Sequence, residues 1–208
     1  MKLADMTVAQ FVAATASEEP APGGGSVAAL EAALGAALTA MVCNFTTGRK
    51  KWAEFEEKAR EMEQKALVLK EQAVDIIDRD TEAFNAVSAV FAMPKNTDEE
   101  KAARKAAMQE ALKGCTKTPL EVMEVTYQTL LIIKEMLGGY NTRAASDFGC
   151  AALSLKAGIQ GAWLNVLINI GGVNDETFVS EARGKGEAIL AKALPLADEI
   201  YEEILKTL

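Results

Sequence analysis

The chain of 208 residues contains no histidine. That absence removes Ser-His triads, Cys-His dyads and histidine-based zinc sites from its chemistry. Any proton transfer must run through Asp, Glu, Lys, Tyr, Cys, water or the substrate. Cysteine is scarce too: Cys43, Cys115 and Cys150 are odd in number, widely spaced and without a CxxC pair. Such a set suits reduced thiols in a cytoplasm, with Cys43 and Cys150 read as core thiols. Aromatic residues make up only 6% of a chain that is 50% hydrophobic, and alanine is abundant. That balance favours closely packed helices over sheets. The N-terminal Met-Lys-Leu-Ala-Asp-Met-Thr has no apolar h-region, so no signal peptide is expected. Basic charge is outnumbered, and the net −8 argues against nucleic acid or an anionic membrane as the main partner.

The length suits one domain over residues 1–208 with a core large enough to fold unaided. Its most distinctive stretch is Pro20-Ala21-Pro22-Gly23-Gly24-Gly25-Ser26, followed at once by an Ala/Leu-rich run. The prolines stiffen the approach, and the glycines let another molecule come close to the backbone. Ser26, a good N-cap type, would lead exposed N–H groups into a helix N-terminus suited to a carboxylate, phosphate or polarised carbonyl. The alternative is a tight loop that lets two helices pack closely. Gly23-x-Gly25-x-x-Ala28 fits the dinucleotide fingerprint formally, but no strand precedes it and no βαβ alternation follows. No Gly-Lys-Ser/Thr follows the glycines, so a Walker A loop is excluded as well.

The rest reads as helices. Residues 5–17 form a short amphipathic one with Phe11 and Val12 on its apolar side, and Val27 to about Phe45 forms one buried all round. That second run is too alanine-rich, and carries Glu31 too early, for a transmembrane span. From Trp52 to Val90 a stripe of Leu67, Val74, Ile77, Phe84, Val87 and Phe91 marks a long helix, with Asp78 and Asp80 close to it. After Met93-Pro94, an acidic turn at Asp98 opens a solvated helix that Gly114 ends. Thr118-Pro119 starts another, reaching Gly138-Gly139; an apolar helix then runs from Ser146 to Ile170. Gly171-Gly172 stops it, and Asn174-Asp175 caps a last stretch broken or bent near Gly184, Gly186 and Pro195. The fold class is all-α: a helical bundle with a long central apolar helix.

Several residues could carry chemistry, each with a structural alternative. Gly158, Gly161, Asn165 and Asn169 form a small and polar stripe, either an inter-helix or subunit contact or a set of amides orienting a heteroaromatic ligand. Asp147 is either a helix cap or a functional carboxylate. Asp80, mid-helix among apolar neighbours, needs a partner. Arg49-Lys50-Lys51 either offsets a helix C-terminal dipole or clamps carboxylates.

Five stretches together resemble the cyclodeaminase/cyclohydrolase family, the helical domain of formiminotransferase-cyclodeaminase that also occurs alone in bacteria. They are Pro22-Gly23-Gly24-Gly25-Ser26-Val27-Ala28-Ala29, Asn44-Phe45-Thr46-Thr47-Gly48-Arg49-Lys50-Lys51, Asp80-Thr81-Glu82-Ala83-Phe84, Ala145-Ser146-Asp147-Phe148-Gly149 and Asn165-Val166-Leu167-Ile168-Asn169. Phe45 and Arg49 stand where the family often has Leu and Lys. The resemblance implies an all-helical homodimer acting on tetrahydrofolate one-carbon derivatives, with no metal or other cofactor. The expected reaction closes 5-formiminotetrahydrofolate to 5,10-methenyltetrahydrofolate with release of ammonia; the alternative is methenyltetrahydrofolate cyclohydrolase. A non-catalytic helical interaction protein is the competing class. Under the resemblance Asp147, Asp80 and Lys51 are the catalytic set. Asp147 takes the proton, Asp80 supports it or binds the pterin N–H groups, and Lys51 shuttles a proton or holds a glutamate-tail carboxylate. Gly23, Gly24, Gly25, Ser26, Asn44, Lys50, Asn165 and Asn169 would bind the folate and any glutamate tail.

Overall fold

Six α-helices and three short 3-10 turns account for nearly all of residues 2–208, the part described by the computed structural model, and no strand occurs among them. The helices are α1 (Val8–Thr15), α2 (Gly24–Thr46), α3 (Glu56–Phe91), α4 (Asp98–Met136), α5 (Ala145–Ile170) and α6 (Glu176–Leu205). α2 packs against α3, α4 and α5, while α6 closes the bundle against α4 and α5.

Small residues set the spacing. Leu155 of α5 lies over Gly35 of α2, and a Cβ added to Gly158 would stand 3.0 Å from the Ala28 carbonyl oxygen. Gly139 lies against the Phe55 ring, and Gly186 lies beneath the Trp163 indole. Two segments, Gly24–Thr46 and Thr142–Ile170, are long and apolar enough to cross a membrane by length and composition. In this fold both pack against other helices.

Two of the three helices packed on α2, α3 and α5, run antiparallel to it. Ser26 near its start donates to the Ile77 carbonyl of α3 at 3.0 Å, whereas Asn44 near its end donates to Glu63 at 2.8 Å. On the other flank Gly24 lies beside Asn165, while the Phe45 carbonyl accepts from Asn141, just ahead of α5, at 3.0 Å.

Several expectations change. The first helix is shorter: a 3-10 turn at Leu3–Asp5 precedes α1, which Thr7 and Gln10 start with a reciprocal capping box. Phe11 is buried but Val12 is exposed, because a helix of only eight residues docks through one side chain. α2 is not buried all round; Leu34 and Phe45 are exposed where no neighbouring helix covers them. The α3 stripe leaves the core after Ile77, so Phe84 and Phe91 are exposed near its end. Gly114 and Pro119 do not divide α4, which runs unbroken through both. Nor is α6 interrupted at Gly184, Gly186 or Pro195. Cys43 is a core thiol as expected, but Cys150 lies on the outer side of α5 and is exposed. Asp175 does cap the last helix, accepting from the Phe178 N–H at 3.1 Å.

Candidate functional site

The expected site residues fall into two groups, at opposite ends of α2. With 23 residues, α2 is about 35 Å long at about 1.5 Å per residue. Asp147 and Asn165, both on α5, are about 27 Å apart by the same rise.

The first group surrounds the C-terminal end of α2. There the chain leaves the helix at Thr47 and turns at Gly48, which takes a left-handed φ of 68°. A 3-10 turn over Lys50–Phe55 follows. Asn141 ties this corner to the start of α5: its N–H donates to Thr46 Oγ1 at 3.0 Å, and its own Oδ1 accepts from the Arg143 N–H at 3.2 Å. Between the two turns lies a cleft of about 730 Å³ lined by Arg49, Lys50, Lys51, Trp52, Arg143 and Asp147, among others. Lys51 Nζ sits 4.7 Å from the Trp52 ring centroid, a cation–π contact that orients the ammonium. None of the four cations is in an ion pair among the described residues.

Asp147 is the only carboxylate lining that cleft among the described residues. It is half-buried in the first turn of α5, where the helix dipole favours negative charge. It is not the helix cap, since the N-cap position belongs to Ala144. One carboxylate facing four cations can accept a proton while the cations hold an anionic ligand.

The second group lies at the other end. Ser26 is not the N-cap; that is Gly23, and Ser26 is fully buried one turn in, bonded to α3 instead. Its hydroxyl also approaches Asp80 Oδ2 at 3.2 Å. A Cβ added to Gly25 would come within 2.5 Å of Asp80 Cγ, so Gly25 is there to admit the carboxylate. Burial pushes the Asp80 carboxyl above its usual range, and hydrogen bonds from the Ser26 side chain and backbone pull it back in part. The same charge, after burial itself, helps push the Cys115 thiol up to about 11.

Each amide makes one hydrogen bond within the fold. Asn165 donates to the Gly161 carbonyl of its own helix at 2.9 Å, and Asn169 donates to the Cys115 carbonyl of α4 at 2.7 Å. Asn44 is held by Glu63. The fold therefore brings Lys50, Lys51 and Asp147 together, and separately Gly24, Gly25, Ser26, Asp80 and Asn165. Arg143, Trp52 and Asn141 were not singled out by sequence reasoning. The available signal was a cation and an Asx residue between a Gly-Gly stop and the next helix start.

Residues 7–188 match the family described as formiminotransferase-cyclodeaminase. Methenyltetrahydrofolate cyclohydrolase from Methylorubrum extorquens is 41% identical over 198 residues, covering 95% of each chain. Formimidoyltransferase-cyclodeaminase from Rattus norvegicus is 35% identical over 191 residues. This chain matches 35% of that protein's length, about a third. The crystal structure of formiminotetrahydrofolate cyclodeaminase from Thermotoga maritima superposes with a TM-score of 0.84 at 26% identity, over 100% of this chain and 98% of that one.

Proposed function

From the premise that this chain belongs to the formiminotransferase-cyclodeaminase family, we propose that it acts on folate one-carbon units as a methenyltetrahydrofolate cyclohydrolase. The observation that carries this choice is the 41% identity to a cyclohydrolase of matching extent, 95% of each chain being covered. The family's defining ring closure with loss of ammonia, which the sequence resemblance put first, takes second place.

The chemistry needs what the basic cleft offers. In the methenyl substrate the bridge carbon is cationic, its charge shared with N5 and N10. Water adds to that carbon and gives up a proton to a base. The tetrahedral carbon then collapses: its bond to N5 breaks, the hydroxyl proton passes to N5, and the formyl group stays on N10. One water is consumed and one proton released. Asp147 is the base; its charge also stabilises the cationic carbon before attack. Lys51, oriented on Trp52, relays the proton to N5 or holds a tail carboxylate. Arg49, Lys50 and Arg143 bind the glutamate carboxylates, through a fork in the arginines and a point charge in the lysine.

Ring closure of 5-formiminotetrahydrofolate passes through the same tetrahedral carbon, with ammonia in place of water, and the Thermotoga maritima relative supports it as the second reading. Near-ultraviolet absorbance of the methenyl chromophore separates them. Catalysed loss of the supplied chromophore is the expected result. Formation of chromophore and ammonia from the formimino substrate, without catalysed loss, would give the second reading instead.

A further inference from the structure

The two walls of the basic cleft come from distant parts of the chain. One wall, residues 48–52, follows the end of α2; the other, residues 141–147, leads into α5. Lys51 stands on the first wall and Asp147 on the second, so their separation depends on how the walls are held. Among the described residues the hydrogen bonds that cross from one wall to the end of α2 are both donated by Asn141. A further contact is apolar, the Phe55 ring lying against Gly139.

Asn141 suits this place because an amide both donates and accepts. Its Nδ2 donates at 3.0 Å to the Phe45 carbonyl, one of the last of α2, which finds no N–H within its own helix. Its Oδ1 accepts from the Arg143 N–H at 3.2 Å and so caps the 3-10 turn over Thr142–Ala144. The backbone of Asn141 is engaged as well. Its N–H donates to Thr46 Oγ1 at 3.0 Å, and its carbonyl accepts from the Ala144 N–H at 2.9 Å. Thr46 is fully buried and donates its own hydroxyl proton to the Val42 carbonyl at 2.8 Å, which leaves the oxygen free to accept from Asn141. On either side of the turn the rings of Tyr140 and Phe148 pack at 4.9 Å. One residue thus ends α2, starts the turn before α5 and joins the Lys51 wall to the Asp147 wall.

We propose that Asn141 is a positioning residue of the cleft: its amide clamps the two walls together and so sets the separation of Lys51 from Asp147. The roles of Lys51 and Asp147 rest on the proposed folate activity, whereas the clamp rests on the hydrogen bonds themselves. With its amide engaged at both ends, Asn141 acts through these two side chains and Arg143 rather than on the substrate. A misplacement of about 1 Å at a reacting group can slow a reaction about 100-fold.

The test begins with Asn141→Ala in the cyclohydrolase assay. Its kcat is expected to fall about 100-fold, by a larger factor than KM rises. A role confined to folding would instead lower the melting temperature and leave kcat of the folded protein unchanged, which overturns the proposal. Asn141→Asp keeps the cap on the turn and loses only the donor to α2, so it serves where the alanine variant does not fold. Its kcat should fall in the same sense, and a wild-type kcat would overturn the clamp. The clamp is also read without activity, in a Cys150→Ser background, from the distance between spin labels on Lys50→Cys and Thr142→Cys, one on each wall. Adding Asn141→Asp should lengthen and broaden that distance, and an unchanged distribution would again overturn the clamp. A wild type inactive on both folate substrates, whose labels still part on Asn141→Asp, would reject the folate reading while keeping the clamp.

Discussion

Asn169 on α5 supplies the hydrogen bond that Pro119 on α4 cannot. The Cys115 carbonyl, four residues before Pro119, would accept from its N–H in an ordinary helix, but proline has none. The Asn169 amide donates to that oxygen at 2.7 Å, while the Thr118 hydroxyl reaches it only at 3.5 Å. This explains how α4 runs through a proline buried in the bundle, and why a polar side chain sits on an apolar helix.

Asn169→Ala leaves a buried carbonyl without its donor and is expected to destabilise the fold by about 1–3 kcal/mol. Adding Pro119→Ala restores an N–H to α4. The double variant should therefore lose less than the two single changes summed, in denaturant titrations of all four proteins. Strict additivity would show that the two residues are not coupled.

Gly25 is tied to Asp80 in the same sense, by space. Gly25→Ala places a methyl where the carboxylate lies, so the Asp80 end of the bundle must move. The expected effect is a loss of about 1–3 kcal/mol, read by thermal unfolding. Gly48→Ala tests a different property, since Gly48 has open space around it but a left-handed φ of 68°. It should cost about 1 kcal/mol through the backbone alone.

Stability should respond to the raised Asp80 pKa with a definite sign. The folded chain holds this proton more tightly than the unfolded chain, whose value is near 3.8. The contribution is complete below that unfolded value and is lost as pH rises through the higher folded one. Asp80→Asn keeps the shape and removes the titration. It should therefore be more stable than wild type at neutral pH and show a smaller fall in melting temperature from about pH 4 to about pH 7. An unchanged pH profile would contradict the assignment.

The four cations of the cleft, unpaired among the described residues, predict a salt-sensitive KM. Alanine at Lys50 or Arg143 should raise KM more than it lowers kcat, more steeply for substrates with longer glutamate tails. The difference should shrink as added salt screens the charges. Steady-state assays at low and high ionic strength measure both.

Much of this was legible in the sequence, and the failures have physical causes. Helical periodicity and alanine content gave the bundle, and Gly171 and Asp175 marked a stop and a start that the structure keeps. Pro119 reads as a helix start in the sequence because its compensating donor, Asn169, lies in another helix. Ser26 reads as a cap because sequence does not show that α3 offers its hydroxyl a buried carbonyl. Lys51 and Asp147 could be named from their motifs, but not their grouping apart from Asp80. Which helix ends meet is decided by the antiparallel order of α2, α3 and α5, a tertiary property. Arg143 carries no sequence signal of its own for the same reason, as it joins the cleft only through the fold.

The most direct measurement of the central claim follows loss of the methenyltetrahydrofolate chromophore with wild-type protein and with Asp147→Asn in the same buffer. The wild type should exceed the uncatalysed rate, and the variant, folded by circular dichroism, should fall about 100- to 10,000-fold below the wild type. A variant as fast as the wild type would remove Asp147 from the mechanism, and a wild type no faster than buffer would contradict the cyclohydrolase reading itself.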